Sequence, residues 1–185
     1  MAKEFHITFS CGTVDDGAKP VVSQIQRLMK EGGAEFISKD EDDYGYMDAV
    51  FHHHTTPEAI TKLCKEVIEK FKHSHVTVTT SVYEHTPSVM IDTKDTKNVS
   101  EFKQFVSSLA AEQGFVSIDE ETDPTIWKIT FERSIQRESF QNNLTAKAGE
   151  FMKNGNSSVK IFPHWEDVNF LQKNNYSDNK RTVKP

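Results

Sequence analysis

The sequence predicts an α+β protein made of two tandem ferredoxin-like halves, each with the element order β-α-β-β-α-β and an antiparallel sheet. Three observations predict it. Short stretches alternate apolar and polar residues, as half-buried strands do. Longer stretches repeat apolar residues at helical spacing. The same succession of the two patterns then runs through both halves of the chain.

The elements follow in order. Residues 3–10 set Phe5, Ile7 and Phe9 on one face and His6, Thr8 and Ser10 on the other, which predicts a strand. Residues 12–17 read as a turn. Pro20 suits a first helical turn, and Val21, Val22, Ile25, Leu28 and Met29 recur at helical spacing until Gly32-Gly33 stops the helix. A hairpin is predicted over 35–39 and 46–53, around Asp40, Glu41, Asp42 and Asp43. Thr56-Pro57-Glu58 then starts a helix that carries Ile60, Leu63, Cys64, Val67, Ile68 and Phe71. A strand over 75–83 completes the first half.

The second half repeats the order. A strand is predicted over 88–93 and a helix over 98–111, with Phe102, Phe105, Val106 and Leu109 inward. Gly114 breaks that helix. A hairpin over 115–119 and 125–132, a helix over 139–153 and a strand over 158–162 follow. Aligning Gly33 with Gly114, an offset of 114 − 33 = 81, superposes Ile37 on Ile118, Asp42 on Asp123 and Tyr46 on Trp127. An internal duplication is inferred. Such a unit has sheet order 4-1-3-2, antiparallel neighbours and both helices on one face. One continuous α+β sheet built from the same elements is the alternative. With Thr86-Pro87 as the junction, the expected division is 1–85, 86–168 and a polar, loose tail over 169–185.

Composition bounds the function. Of 185 residues 36% are apolar, and mean hydropathy is −0.61, a deficit that thirteen Phe and two Trp partly offset. No apolar run is long enough for a transmembrane helix, and the N-terminal residues lack a secretory core, so a cytoplasmic protein with no membrane partner is expected. Two cysteines, Cys11 and Cys64, cannot make a disulfide framework, and both are expected reduced. The formal net charge of −6 argues against binding a nucleic-acid backbone. Motifs for phosphate-cradling glycine loops, nucleophile elbows and zinc peptidases are missing.

Two short segments carry catalytic chemistry. His6-Ile7-Thr8-Phe9 and His75-Val76-Thr77-Val78 each read His, apolar, Thr, apolar, each opening a predicted strand. This pairing resembles the H-x-T-x signature of the 2H phosphoesterases. The resemblance implies adjacent strands whose His6, Thr8, His75 and Thr77 face one groove. One histidine would then act as general base and the other as general acid on a cyclic or 2′,5′ phosphodiester, with the threonines holding the phosphate. Two imidazoles titrating near neutrality suit that work.

Strand parity also points histidines to the open face. In the 4-1-3-2 order, His6, His52 and His54 gather near the start of the first strand, with His85 arriving from the fourth. Three imidazoles suit zinc, copper or nickel. Histidines at strand ends are often simply solvated, and His52-His53-His54 alternate faces, so no cofactor is expected.

The acidic hairpins are the remaining feature. Asp40, Glu41, Asp42 and Asp43 in one half answer Glu120, Glu121 and Asp123 in the other. They are read as sites for a basic protein partner or a divalent cation, against the plainer reading that short polar residues make tight turns. Tandem units of this topology also resemble paired ACT-type regulatory domains. The Asp-x-Pro-Gly turn of that family is not matched by Thr13-Val14-Asp15-Asp16-Gly17, so no small-molecule ligand is expected. The expected function is a non-catalytic binding or regulatory protein working through sheet faces and acidic hairpins. A 2H-like phosphodiesterase and an acidic inhibitor of a nucleic-acid enzyme are the alternatives.

Overall fold

A computed structural model describes residues 1–12, 17–154 and 159–170. Residues 13–16 of the turn expected over 12–17, and residues 171–185 of the expected tail, lie outside the described residues. The chain divides into two units: Met1–His85 with the described residues from Asp167, and Thr86–Glu166.

The first unit contains β1 (Lys3–Gly12), α1 (Ala18–Glu31), β2 (Glu35–Glu41), β3 (Met47–Thr55), α2 (Pro57–Phe71) and the first part of β4 (Thr77–Asp92). Its strands lie in the order β2-β3-β1-β4, every neighbour antiparallel, which is the 4-1-3-2 order expected. Alternation chose the faces. Phe5, Ile7, Phe9 and Cys11 of β1 and Met47, Ala49 and Phe51 of β3 are all buried. They pack with Val22, Ile25 and Met29 of α1 and Ile60, Cys64 and Val67 of α2 in one apolar cluster, so both helices cover the same face. Thr56 starts α2, its side chain accepting a hydrogen bond from the Ala59 amide, with Pro57 at the first helical position.

The second unit repeats this plan with the rest of β4, α3 (Val99–Gln113), β5 (Phe115–Glu120), β6 (Ile126–Phe131), α4 (Ser134–Lys147), a short 3-10 turn (Ala148–Phe151) and β7 (Lys160–Asn169). Here β4 pairs β6, β6 pairs β5, and β7 pairs β4. Asn98 caps α3 through the Glu101 amide. Gly114 ends the helix at φ +73°, a left-handed conformation that glycine adopts without strain. Phe102, Val106, Ile129, Phe131, Phe140 and Leu144 form a separate core.

Three expectations change. The strands expected over 75–83 and 88–93 are one strand, because Pro87 falls after the last residue paired with β1 and before the first paired with β6. Proline there costs no bond in the ladders with β1 and β6. The last helix starts at Ser134 rather than 139 and closes as a 3-10 turn. The expected tail does not begin at 169, since Asn169 ends β7 and Phe170, only 5% exposed, packs edge-on against Phe5 at 5.2 Å.

These cores predict the mutational pattern. Phe9→Ala and Phe102→Ala, each removing a fully buried ring, should each cost ~3–5 kcal/mol in urea unfolding. Ile135→Ala, on an exposed helix face, should stay within ~0.5 kcal/mol.

Candidate functional site

On the face of the β2-β3-β1-β4 strands opposite α1 and α2, the ladder gathers three imidazoles. His6 on β1 lies directly across from His52 on β3, and Glu4 lies across from both His54 and His85. The His6 and His52 rings are 5.3 Å apart, His6 and His85 6.0 Å, and His52 and His85 4.9 Å. Two carboxylates complete the cluster. Glu4 Oε1 is 3.7 Å from both His52 Nδ1 and His85 Nε2. Asp167 of β7 holds His85 Nδ1 at 2.5 Å and lies 3.5 Å from His6 Nδ1.

Two members are withdrawn from water, His6 and His52 are half-buried, and Asp167 is exposed. Glu4 is 5% exposed and His85 6%, unusual for groups that can carry charge unless they are paired. Burial lowers the pKa of His6, with Asp167 raising it in part and His85 lowering it further. Burial likewise pushes His52 down to about 4, against the opposing attraction of Glu4. Both rings are therefore neutral near pH 7, the form that offers a nitrogen lone pair.

Of the expected metal ligands, His6 and His52 are brought together. His54 is not part of either close set, which comprise Glu4 with His52 and His85, and His6 with His85 and Asp167. It shares the open face but sits one two-residue step along β3, beside Glu4. Glu4 and Asp167 were not anticipated. The parity of Glu4 with His6 was a usable signal, whereas residues 160–169 lack the alternation that would have revealed a strand carrying Asp167.

The paired H-x-T-x residues do not share a groove. β1 and β4 are antiparallel neighbours as the resemblance requires, but His6 faces Tyr83, Thr8 faces Ser81, and Thr77 faces Gly12. Six positions separate Tyr83 from Thr77, which is ~20 Å along a strand. His75 lies beyond the start of β4, exposed and beside Gly17. The acid–base pair His6 and His75 is not assembled by this register.

The acidic hairpins divide their residues between turn-making and surface. Asp42 Oδ1 accepts hydrogen bonds from the Tyr44 and Tyr46 amides, and Asp123 Oδ1 accepts from the Thr125 amide and hydroxyl. These are the positions that the 81-residue offset aligns. Glu41 pairs with Lys19 at 3.2 Å, Glu120 with Lys103 at 2.5 Å and Asp123 with Lys94 at 3.4 Å. The Thr125 hydrogen bonds lower the Asp123 pKa, and Lys103 lowers that of Glu120. Asp40 and Asp43 are exposed at the first tip, and Glu121 is half-buried at the second. Burial pushes the Cys11 thiol up to about 11 and the Cys64 thiol to about 12, so neither offers a thiolate nucleophile at neutral pH.

No protein-family model matches this chain, and no curated protein matches it. Solved structures are similar in outline. The acetolactate synthase small subunit from Thermotoga maritima is 15% identical over 90% of this chain and 98% of its own, with a TM-score of 0.33. A microcompartments protein from Desulfitobacterium hafniense DCB is 10% identical over 93% and 99%, with a TM-score of 0.34. The regulatory subunit of aspartate kinase from Thermus thermophilus is 9% identical over 77% and 93%, with a TM-score of 0.31. No helix among the described residues is long and apolar enough to cross a membrane.

Two predictions follow from the site's electrostatics and turns. His52 is depressed from 6.5 to about 4, so the unfolded chain binds more protons between those values. Stability is then fully present above about pH 6.5 and falls as pH drops toward 4, by on the order of 2–3 kcal/mol at this residue. Urea midpoints at pH 7, 5 and 4 test this, and a flat profile contradicts a buried neutral His52. For the turns, Asp42→Ala and Asp123→Ala should each lower the thermal midpoint, while Asp42→Asn, which keeps the accepting oxygen, should recover most of the loss.

Proposed function

We propose that this chain is a non-catalytic binding or regulatory protein that engages a protein partner through the edge and tip of its first hairpin. One observation carries the reading: apolar surface and negative charge are concentrated together on β2, β3 and the turn between them. Tyr44 is 82% exposed, Tyr46 56%, Ile37 44% and Phe36 42%. Around them stand Glu35, Asp40, Glu41, Asp42, Asp43 and Asp48 against Lys39 on β2 and Lys19, which pairs with Glu41, in a chain whose whole net charge is −6.

The physics of such an edge defines its occupant. β2 ends the strand order of its sheet, so its outer backbone groups are oriented to pair with an added extended segment. Its side chains are exposed along its whole length. The tyrosines supply large contact area at small entropic cost, the usual character of interface anchors. The carboxylates steer a basic partner and add specificity more than affinity. The partner expected is thus an extended protein segment with an apolar centre and basic flanks.

Capture on the immobilised full chain, from an extract of the producing cells, tests this reading. Partners retained by the unaltered protein should be released by salt and lost from the Ile37→Lys/Tyr44→Ala double variant. Asp40→Lys with Asp43→Lys should weaken retention ~10-fold or more, while Ile135→Lys should leave it unchanged. A captured set identical for all four proteins defeats the hairpin as the contact surface.

A further inference from the structure

We propose that Glu4, His52 and His85 form a binding site for one divalent transition-metal ion of the zinc class, with Asp167 as the positioning residue for His85. The inference is independent of the hairpin as a contact surface. It rests on how donor atoms converge. Glu4 Oε1 lies 3.7 Å from His52 Nδ1 and 3.7 Å from His85 Nε2, and the three atoms all lie within 4.8 Å of one another. Tetrahedral coordination with bonds of ~2.05 Å sets neighbouring donors about 3.3 Å apart, so both Glu4 distances stand within a few tenths of an ångström of that value, and the two nitrogens close in from no more than 4.8 Å.

The outer shell is also in place. Asp167 Oδ1 accepts from His85 Nδ1 at 2.5 Å, which turns His85 Nε2 toward Glu4 Oε1, 3.7 Å away. A carboxylate holding the far nitrogen of a ligating histidine is the arrangement that fixes tautomer and ring orientation in metal centres. Two imidazoles and one carboxylate leave a fourth position open to water or an exogenous ligand. Charge agrees with the stereochemistry. Glu4, 5% exposed, is a buried carboxylate beside two imidazoles, and a divalent cation would balance its charge, while the more exposed Asp167 holds the far nitrogen of His85. His6 flanks the site with its ring 5.3 Å from that of His52.

Zinc titrated into the chelator-stripped full chain, followed by calorimetry, should show one ion per chain. Cobalt(II) should give the intense visible bands of a tetrahedral centre. His52→Gln and Glu4→Gln should weaken zinc binding ~100-fold or more, Asp167→Asn ~10-fold or more, and His54→Gln and His75→Gln not at all. If a ligand variant fails to fold, the unaltered chain decides through its imidazole NMR resonances. Stoichiometric zinc must then shift those of His52 and His85. Resonances of His73 or His164 shifting instead, an octahedral cobalt spectrum, or zinc binding unchanged in His52→Gln would each overturn the site, leaving the cluster a proton-sharing network.

Discussion

The antiparallel ladder between β1 and β4 is the constraint on which the polar face of the first unit depends. It sets Glu4 opposite His85 and His6 opposite Tyr83, while the β1–β3 ladder sets His6 opposite His52. Backbone hydrogen bonds hold each register, and directly opposed side chains come within about 5 Å. Residues 79 positions apart in sequence, His6 and His85, thereby become ring neighbours. A slip of two residues would keep every side chain on its face yet carry His85 ~7 Å away from Glu4.

Burial then gives that geometry its electrostatic character. Water is largely excluded from Glu4 and His85, so charges there interact strongly and must be compensated locally. Desolvation dominates at His6 and His52 and keeps them neutral, outweighing the carboxylates beside them. The same effect acts on Cys11 and Cys64 in the opposite chemical sense, since burial disfavours the thiolate. The strands of the first unit thus have an apolar face against the helices and an opposite face where imidazole nitrogens and carboxylate oxygens meet.

The hairpins show how one residue type serves two ends. Asp42 and Asp123 are absorbed into their own turns, each accepting two hydrogen bonds from residues just downstream. Repetition of that device at aligned positions agrees with the repeated element order of the two units. Glu41, Glu120 and Asp123 meet lysines, yet these pairs are exposed and contribute little to stability. Asp40 and Asp43 are left outward beside Tyr44, so the first hairpin presents both charge and apolar area.

The sequence by itself determined the element order, the inward faces and the sheet order of the first unit. Alternation such as Phe5-His6-Ile7-Thr8 and apolar spacing such as Val22-Ile25-Met29 are local, and burial of one face is enough to enforce them. It also brought His6, His52 and His85 to one side of the sheet, because parity is a property of each strand alone. Register is not. The pairing expected from the H-x-T-x motifs and the pairing found differ by six residues, an even number, so both obey the same alternation. Only the tertiary structure decided between them, and with it whether His6 meets Thr77 or Tyr83. Asp167 entered the cluster for the same reason: a non-local strand pairing delivers it, and nothing in the local pattern of 160–169 records that pairing.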